Sequence, residues 1–269
     1  VKYIHDQAKT DDPFFLYFSY PSPHVPVIPN DEFDGKSQAG PYGDFVVETD
    51  DSCGKLLQAL KNSGQDKNTI VIFSADNGPA HYAYDRDEKF DHWSSQPFRG
   101  VKRDVYEGGH RVPFIVKWPG VTKAGTVSDA LVSQIDIMAT IADFVGYKLP
   151  DDQAEDSHNL APLLRGDVDA VRTTHIHNTT NTQYAIRHGD WVLIDAKEGY
   201  SKAHDEVEAW EEKHGYPDDD DQPAELFNLV EDIGQRNNLA AEHPERVAEL
   251  QKLLKQIREQ GYSAPRLAK

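Results

Sequence analysis

The chain has 269 residues, enough for one large domain or a domain with a smaller companion, and carries a net charge of −18 from 46 acidic against 28 basic residues. That balance disfavours nucleic acid and anionic membrane as general partners, and no apolar run approaches the roughly 18 residues of a membrane span. With 38% hydrophobic residues a packed core is within reach, while a single cysteine, Cys53, excludes an intrachain disulfide and reads as a small buried hydrophobe.

The first residues, Val1-Lys2-Tyr3-Ile4-His5, read as a helix already under way, hence as a chain cut from something longer. Phe14–Tyr20 is a near-continuous apolar and aromatic run, the pattern of a strand buried on both faces. It enters Pro21-Ser22-Pro23-His24-Val25-Pro26, a stiff, extended segment. Between about Tyr42 and Leu60, Phe45, Val46, Cys53, Leu56, Leu57 and Leu60 recur at helical spacing, and Gly64 follows near the helix end. Thr69–Phe73 then delivers a strand into Ser74-Ala75-Asp76-Asn77-Gly78. Strand, helix and strand in this order predict a βαβ unit with a right-handed crossover. Residues 78–112 show no clear period. Pro113–Trp118 reads as a strand stopped by Pro119-Gly120, and Ile135–Val145 as a helix stopped by Gly146.

The character changes after Pro150. A polar stretch over 151–170 precedes three short strands, Thr174–Asn178, Gln183–His188 and Trp191–Asp195, the last two joined by a Gly189-Asp190 turn. Asp218–Asp221 reads as a solvated loop and Glu225–Leu229 as a fourth strand. Pro244–Gln260 is an amphipathic helix with Val247, Leu250, Leu253, Leu254 and Ile257 on one stripe, Pro244 in its first turn and Gly261 at its end. The expected class is α/β: a core portion over 1–150, then a small α+β subdomain over 151–269 in which one long helix packs an antiparallel sheet.

Asp76 and Asn77 stand together at a strand's C-terminal end, where open α/β sheets place their chemistry. Two hard oxygen donors suit Ca²⁺ or Mg²⁺; a plain Asn-Gly turn is the simpler alternative. Arg99, Lys102, Arg103 and Arg111 make a locally basic stretch that suits an anionic group. His175 and His177 share a strand face, which admits either a metal or a packed pair.

Three segments stand out together: Pro21–Pro26, Asp76-Asn77-Gly78, and Arg99-Gly100-Val101-Lys102 followed by Tyr106-Glu107-Gly108-Gly109-His110-Arg111-Val112-Pro113. In this order, with Ser133–Thr140, Arg187–Trp191 and Glu225–Leu229 ahead of Asn238-Leu239-Ala240, they resemble the C-terminal half of the formylglycine-dependent, arylsulfatase-like sulfatases. The resemblance implies a partial alkaline-phosphatase-type core sheet, hydrolysis of aryl or carbohydrate sulfate esters at a Ca²⁺ site, and a periplasmic or secreted location. It makes Asp76 and Asn77 metal ligands, His24 and Lys102 contacts of the sulfate group or the departing oxygen, and Arg99 a further substrate contact. The chemistry suits these residues. A divalent ion polarises sulfuryl oxygens, Lys102 is a point charge for one of them, and His24 can protonate the leaving oxygen. A phosphatase or phosphonate hydrolase of the same superfamily typically places histidine beside the aspartate, where Asn77 stands here. A non-catalytic homologue that binds sulfated glycans is the third reading.

The nucleophile of these enzymes is a formylglycine made from Cys or Ser in a Cys/Ser-x-Pro-x-Arg motif, and this chain is expected to lack it. Cys53 is followed by Gly54-Lys55-Leu56, and Ser263-Ala264-Pro265-Arg266 brings arginine one place early. The paired aspartates that complete the metal site are also expected elsewhere. The expectation is therefore a chain inactive alone, whose partners are a sulfated small molecule or glycan and the N-terminal half of the same enzyme. An apolar edge at Phe14–Tyr20 or Thr69–Ala75 would then be left exposed.

Overall fold

The computed structural model describes residues 1–201, 205–217 and 222–265; the acidic run Asp218–Asp221 and Arg266 lie outside these described residues. Contacts divide the chain into two units interleaved in sequence. The first comprises Val1–Ser74, Pro79–Ser94 and Pro113–Gly120, the second Ala75–Gly78, Ser95–Val112 and Val121–Lys269. The chain therefore crosses between them after Ser74, Gly78, Ser94, Val112 and Gly120. The expected boundary near residue 150 divides the sequence, whereas these units are drawn by contacts in space, and all of 151–269 falls in the second.

In the first unit α1 (Lys2–Gln7) packs on α2 (Gly40–Asn62). Ile4, Ala59 and Leu60 are buried together, with Phe14, Leu56 and Val71 against them. The start of α2 needs glycine: Gly40 has φ +65° and a Cβ there would stand 2.4 Å from the Phe90 ring. Buried Asp44 holds the approach to the helix, its carboxylate accepting the amides of Gly35 at 3.0 Å and Ser37 at 2.7 Å. β1 (Val71–Ser74) pairs antiparallel with β2 (Phe114–Lys117) in the register Val71↔Lys117 to Ser74↔Phe114. The expected βαβ unit, which joined Phe14–Tyr20 through the helix to Thr69–Ala75, does not form, because its first strand is absent among the described residues. Phe14–Tyr20 is not a strand, and Phe15 and Tyr17 are 74% and 81% exposed. An apolar run becomes a strand only when a neighbour takes up its amides and carbonyls, and no strand pairs with this one among the described residues. α3 (Tyr82–Phe90) fills part of the stretch that showed no period, burying Ala83 and Tyr84, with Trp93 packed on Tyr84 at 5.2 Å between ring centroids.

The second unit contains α4 (Glu107–His110), α5 (Asp136–Phe144), α6 (Ala161–Arg165), β3 (Thr174–Asn178), β4 (Tyr184–His188), β5 (Trp191–Ile194), α7 (Asp205–His214), β6 (Glu225–Asn228) and α8 (Pro244–Gln260). The four strands form an antiparallel sheet in the order β3-β4-β5-β6, turned at Gly189, whose φ is +60°. Because strand side chains alternate, each face carries a different load. Ile186, Leu193 and Leu226 are cross-strand neighbours and pack with Leu250 and Leu254 of α8, alongside Ala224 and Ala240. Ala185, Val192 and Phe227 point the other way yet are equally buried. A sheet buried on both faces needs a second cover, and Tyr106 supplies part of it: the ring is fully buried, 6.4 Å from Phe227, and its hydroxyl donates to both Glu225 carboxylate oxygens at 2.9 Å. At α5, buried Asp136 pairs with Arg172 and accepts the amides of Ser133 at 2.8 Å and His158 at 2.9 Å.

Candidate functional site

Two turns meet on the short helix α4. The amide of Gly78 donates to the Gly109 carbonyl at 3.0 Å, and the amide of Gly108 donates to the Arg99 carbonyl at 2.8 Å. The first bond holds the turn that carries Asp76 and Asn77; the second holds the turn that leads to Lys102. Glycine is obligatory at both contacts. A Cβ on Gly78 would stand 1.8 Å from the Gly108 oxygen, and one on Gly108 would stand 2.2 Å from the Gly100 oxygen. The Gly-Gly pair of the sequence motif is therefore a close-packing device that lets three backbone segments touch.

Asp76 is exposed and Asn77 half-buried. The Asn77 side-chain Nδ2 donates to the Gly78 carbonyl at 2.9 Å, which leaves Oδ1 as the oxygen for a cation. Gln134 donates to the Ala75 carbonyl and ties the turn from its other end. The turn that contains Lys102 is closed by Asp104, whose carboxylate accepts the Val101 amide at 2.8 Å and whose own amide donates back to the Val101 carbonyl at 2.9 Å. Lys102 is half-buried and makes no ion pair among the described residues. His24 belongs to the first unit, where it is exposed; its Nδ1 donates to the Val25 carbonyl at 2.8 Å, leaving Nε2 for other chemistry.

Among the described residues, no group of three or more His, Cys, Asp or Glu side chains is placed to hold a metal ion. Asp76 and Asn77 match Ca²⁺ in donor type but supply only two of the roughly six to eight oxygens it takes. His175 and His177 are a packed pair, with ring centroids 5.9 Å apart and planes 18° from parallel.

Arg99 does not present its charge to a ligand. Its Nε donates to the Tyr200 hydroxyl at 3.0 Å and Nη1 to the Gln235 carbonyl at 3.3 Å, while Nη2 pairs with Glu211. The guanidinium also lies 4.2 Å from the centre of the Tyr106 ring. Burial opposes its charge, but Tyr106, Tyr200, Glu225 and Glu211 outweigh that and raise its pKa. Its expected role as a substrate contact is corrected to a structural one: all three guanidinium nitrogens are taken.

The expectation that the chain lacks a Ser-x-Pro-x-Arg segment also needs correction. Ser95-Gln96-Pro97-Phe98-Arg99 has that spacing. Its context is not that of a nucleophile. Ser95 is buried and its hydroxyl donates to the Gly100 carbonyl at 3.0 Å, while the arginine is the caged Arg99.

Glu107 and Gln235 were not singled out by the sequence. Glu107 is buried between Arg111, 3.0 Å away, His110 at 3.6 Å and Arg187 at 3.9 Å. Burial raises its pKa; the bond and charge of His110, with the charges of Arg111 and Arg187, outweigh it and bring the pKa to about 2. His110 stacks on His177 with centroids 3.8 Å apart. Burial, helped by neighbouring positive groups, lowers His177 to about 3 and His175 to about 4, so both are neutral near pH 7. The Gln235 side chain accepts the Glu107 amide at 2.7 Å from 128 positions away, a spacing that no local pattern reveals.

Comparison with known proteins adds to this geometry. Residues 1–147 match the family model described as Sulfatase, and residues 101–260 match the one described as N-sulphoglucosamine sulphohydrolase, C-terminal. A Bacteroides thetaiotaomicron protein named N-acetylgalactosamine-6-O-sulfatase is 34% identical over 252 residues, 92% of this chain and 48% of that protein. A structure solved for work on glycosaminoglycan metabolism by Bacteroides thetaiotaomicron superposes with a TM-score of 0.78 at 31% identity, covering 96% of this chain and 52% of the other. A Pseudoalteromonas sp. sulfatase structure gives 0.78 at 25% identity, covering 99% and 52%. The chain spans about half the length of the first of these relatives and of both structures.

Proposed function

This chain belongs to the sulfatase family, and we propose that it forms part of an enzyme hydrolysing carbohydrate sulfate esters at a Ca²⁺ site to which it contributes Asp76 and Asn77. The observation that carries the reading is the shared anchorage of the Asp76-Asn77 turn and the Lys102 turn on α4. Relatives named N-acetylgalactosamine-6-sulfatase make 6-O-sulfated N-acetylgalactosamine the first substrate to test.

In this reading Ca²⁺, when bound, polarises the sulfuryl oxygens. The Lys102 ammonium neutralises charge that builds on the group as the S–O bond breaks. The His24 imidazole, held through its Nδ1–H, hands a proton from Nε2 to the departing alcohol oxygen. In this reading the attacking group and the remaining metal ligands are supplied by the N-terminal half of the same enzyme; the burial of Ser95 and the sequence around Cys53 support it. The exposed aromatics Phe15, Tyr17 and Phe18 and the two-stranded β1–β2 sheet support a partner surface there. No described helix is long and apolar enough to cross a membrane; the location proposed is periplasmic or secreted.

The test uses the enzyme that contains this chain, with 4-nitrophenyl sulfate and N-acetylgalactosamine 6-sulfate as substrates and calorimetric titration with Ca²⁺. Asp76→Ala is expected to abolish Ca²⁺ binding and turnover, and Lys102→Ala to lower kcat by about 10²–10³. Turnover in Asp76→Ala within tenfold of the parent would end the proposal.

A further inference from the structure

Gln235 combines three features that rarely meet in one residue. It is fully buried. Its φ is +54°, in the left-handed region that glycine or asparagine normally occupies. Its Nε2 is buried with no hydrogen-bond partner among the described residues. A buried, unpaired amide nitrogen and a disfavoured backbone both work against folding. They persist where the surrounding structure needs what the residue provides.

What it provides is one oxygen. Oε1 accepts the backbone amide of Glu107, the first residue of α4. That amide has no acceptor within so short a helix, and the residue before it, Tyr106, makes no side-chain cap bond. Gln235 thus caps α4 from another part of the chain, while its main-chain carbonyl accepts from Arg99. The two turns fixed by Gly78–Gly109 and Gly108–Arg99 hang on the helix so capped.

We propose that Gln235 is a positioning residue for the sulfatase site, setting the placement of α4 and through it the placement of Asp76, Asn77 and Lys102. This rests on the reading of those three residues given above. In this proposal Gln235 acts only by where it holds α4.

The test compares Gln235→Leu, which removes the acceptor, with Gln235→Glu, which keeps one, in the enzyme that contains this chain. Hydrogen exchange at Gly78 and at residues 107–110 is followed together with kinetics on 4-nitrophenyl sulfate. Gln235→Leu is expected to speed exchange at those amides by about tenfold or more and to lower kcat by about tenfold with KM changed less than about twofold, as loss of alignment rather than of binding demands. Gln235→Glu is expected to restore both. If Gln235→Leu does not fold, Gln235→Asn, which draws the oxygen back by one methylene, carries the same expectation. Unchanged exchange at α4, or a Gln235→Glu enzyme as impaired as Gln235→Leu, overturns the proposal. Asp76→Ala run in parallel separates the two claims: full activity in that variant defeats the site reading, whereas the exchange result judges the capping of α4 independently.

Discussion

The amide nitrogen of Gly78 lies 3.0 Å from the carbonyl oxygen of Gly109, which fastens the Asp76-Asn77 turn to α4. There is no space for a side chain at this crossing. Gly78→Ala is therefore expected to displace the turn while leaving the sheet and α8 intact. Turnover should fall by about 10²-fold, the scale that a misplacement of about 1 Å brings, with an unchanged far-ultraviolet circular dichroism spectrum. Near-parental kinetics would show that the turn tolerates the shift.

Arg99 sits in a cage of Tyr106, Tyr200, Glu211 and Glu225. Arg99→Met should lower stability by about 3–5 kcal/mol, because the carboxylates lose their counter-charge in a buried setting. Urea unfolding measures this. Any effect on KM should follow from loss of fold; a raised KM in a fully stable variant would return Arg99 to the substrate.

Ser95 offers a sharp contrast between pattern and place. Ser95→Ala is expected to destabilise by about 1 kcal/mol through its lost hydrogen bond and to keep turnover within about threefold. Complete inactivation at normal stability would make Ser95 the source of the nucleophile.

Three groups make the second unit sensitive to acid. Burial, helped by neighbouring positive groups, brings His175 and His177 in the folded chain to about 4 and 3, below the ordinary histidine value of 6.5, so the unfolded chain binds more protons as pH drops below 6.5 and stability is lost down to about pH 3. Glu107, at about 2 against 4.5, adds a loss between about pH 4.5 and 2. Stability should therefore rise with pH from 2 to 6.5. His177→Gln can still donate to the Val105 carbonyl, as the imidazole does at 2.9 Å, and cannot titrate. Urea midpoints at pH 5 and pH 7 should differ less in this variant than in the parent.

Asp136 and Arg172 form a buried pair in which both side chains are almost wholly enclosed. Asp136→Ala should destabilise by about 3–5 kcal/mol, and adding Arg172→Met should recover part of that by removing the stranded charge. A double variant as unstable as the sum of the singles would mean that the two do not interact.

Much of the small sheet was legible because its signals are local. Gly189-Asp190 turned the hairpin as expected, and Pro244 with Gly261 bracketed α8 at both ends. Phe14–Tyr20 was misread because apolarity says what a segment avoids, not whether a strand lies beside it. α3 was hidden because its charged run Asp85-Arg86-Asp87-Glu88-Lys89 reads as solvent-facing, whereas Arg86 and Asp87 are buried together with Ala83 and Tyr84. At the site, the Asp-Asn-Gly turn and the Gly-Gly pair were readable as motifs. The cage around Arg99, the enclosure of Ser95 and the capping oxygen of Gln235 were not, since each depends on residues brought together from separate parts of the chain.

The five crossings between the units have an evolutionary corollary. Neither unit is one continuous piece of polypeptide, so a single recombination event cannot exchange either with a homologue's, and a single protease cut cannot release one. A chimera replacing the first unit would need a junction at each of the five points after Ser74, Gly78, Ser94, Val112 and Gly120.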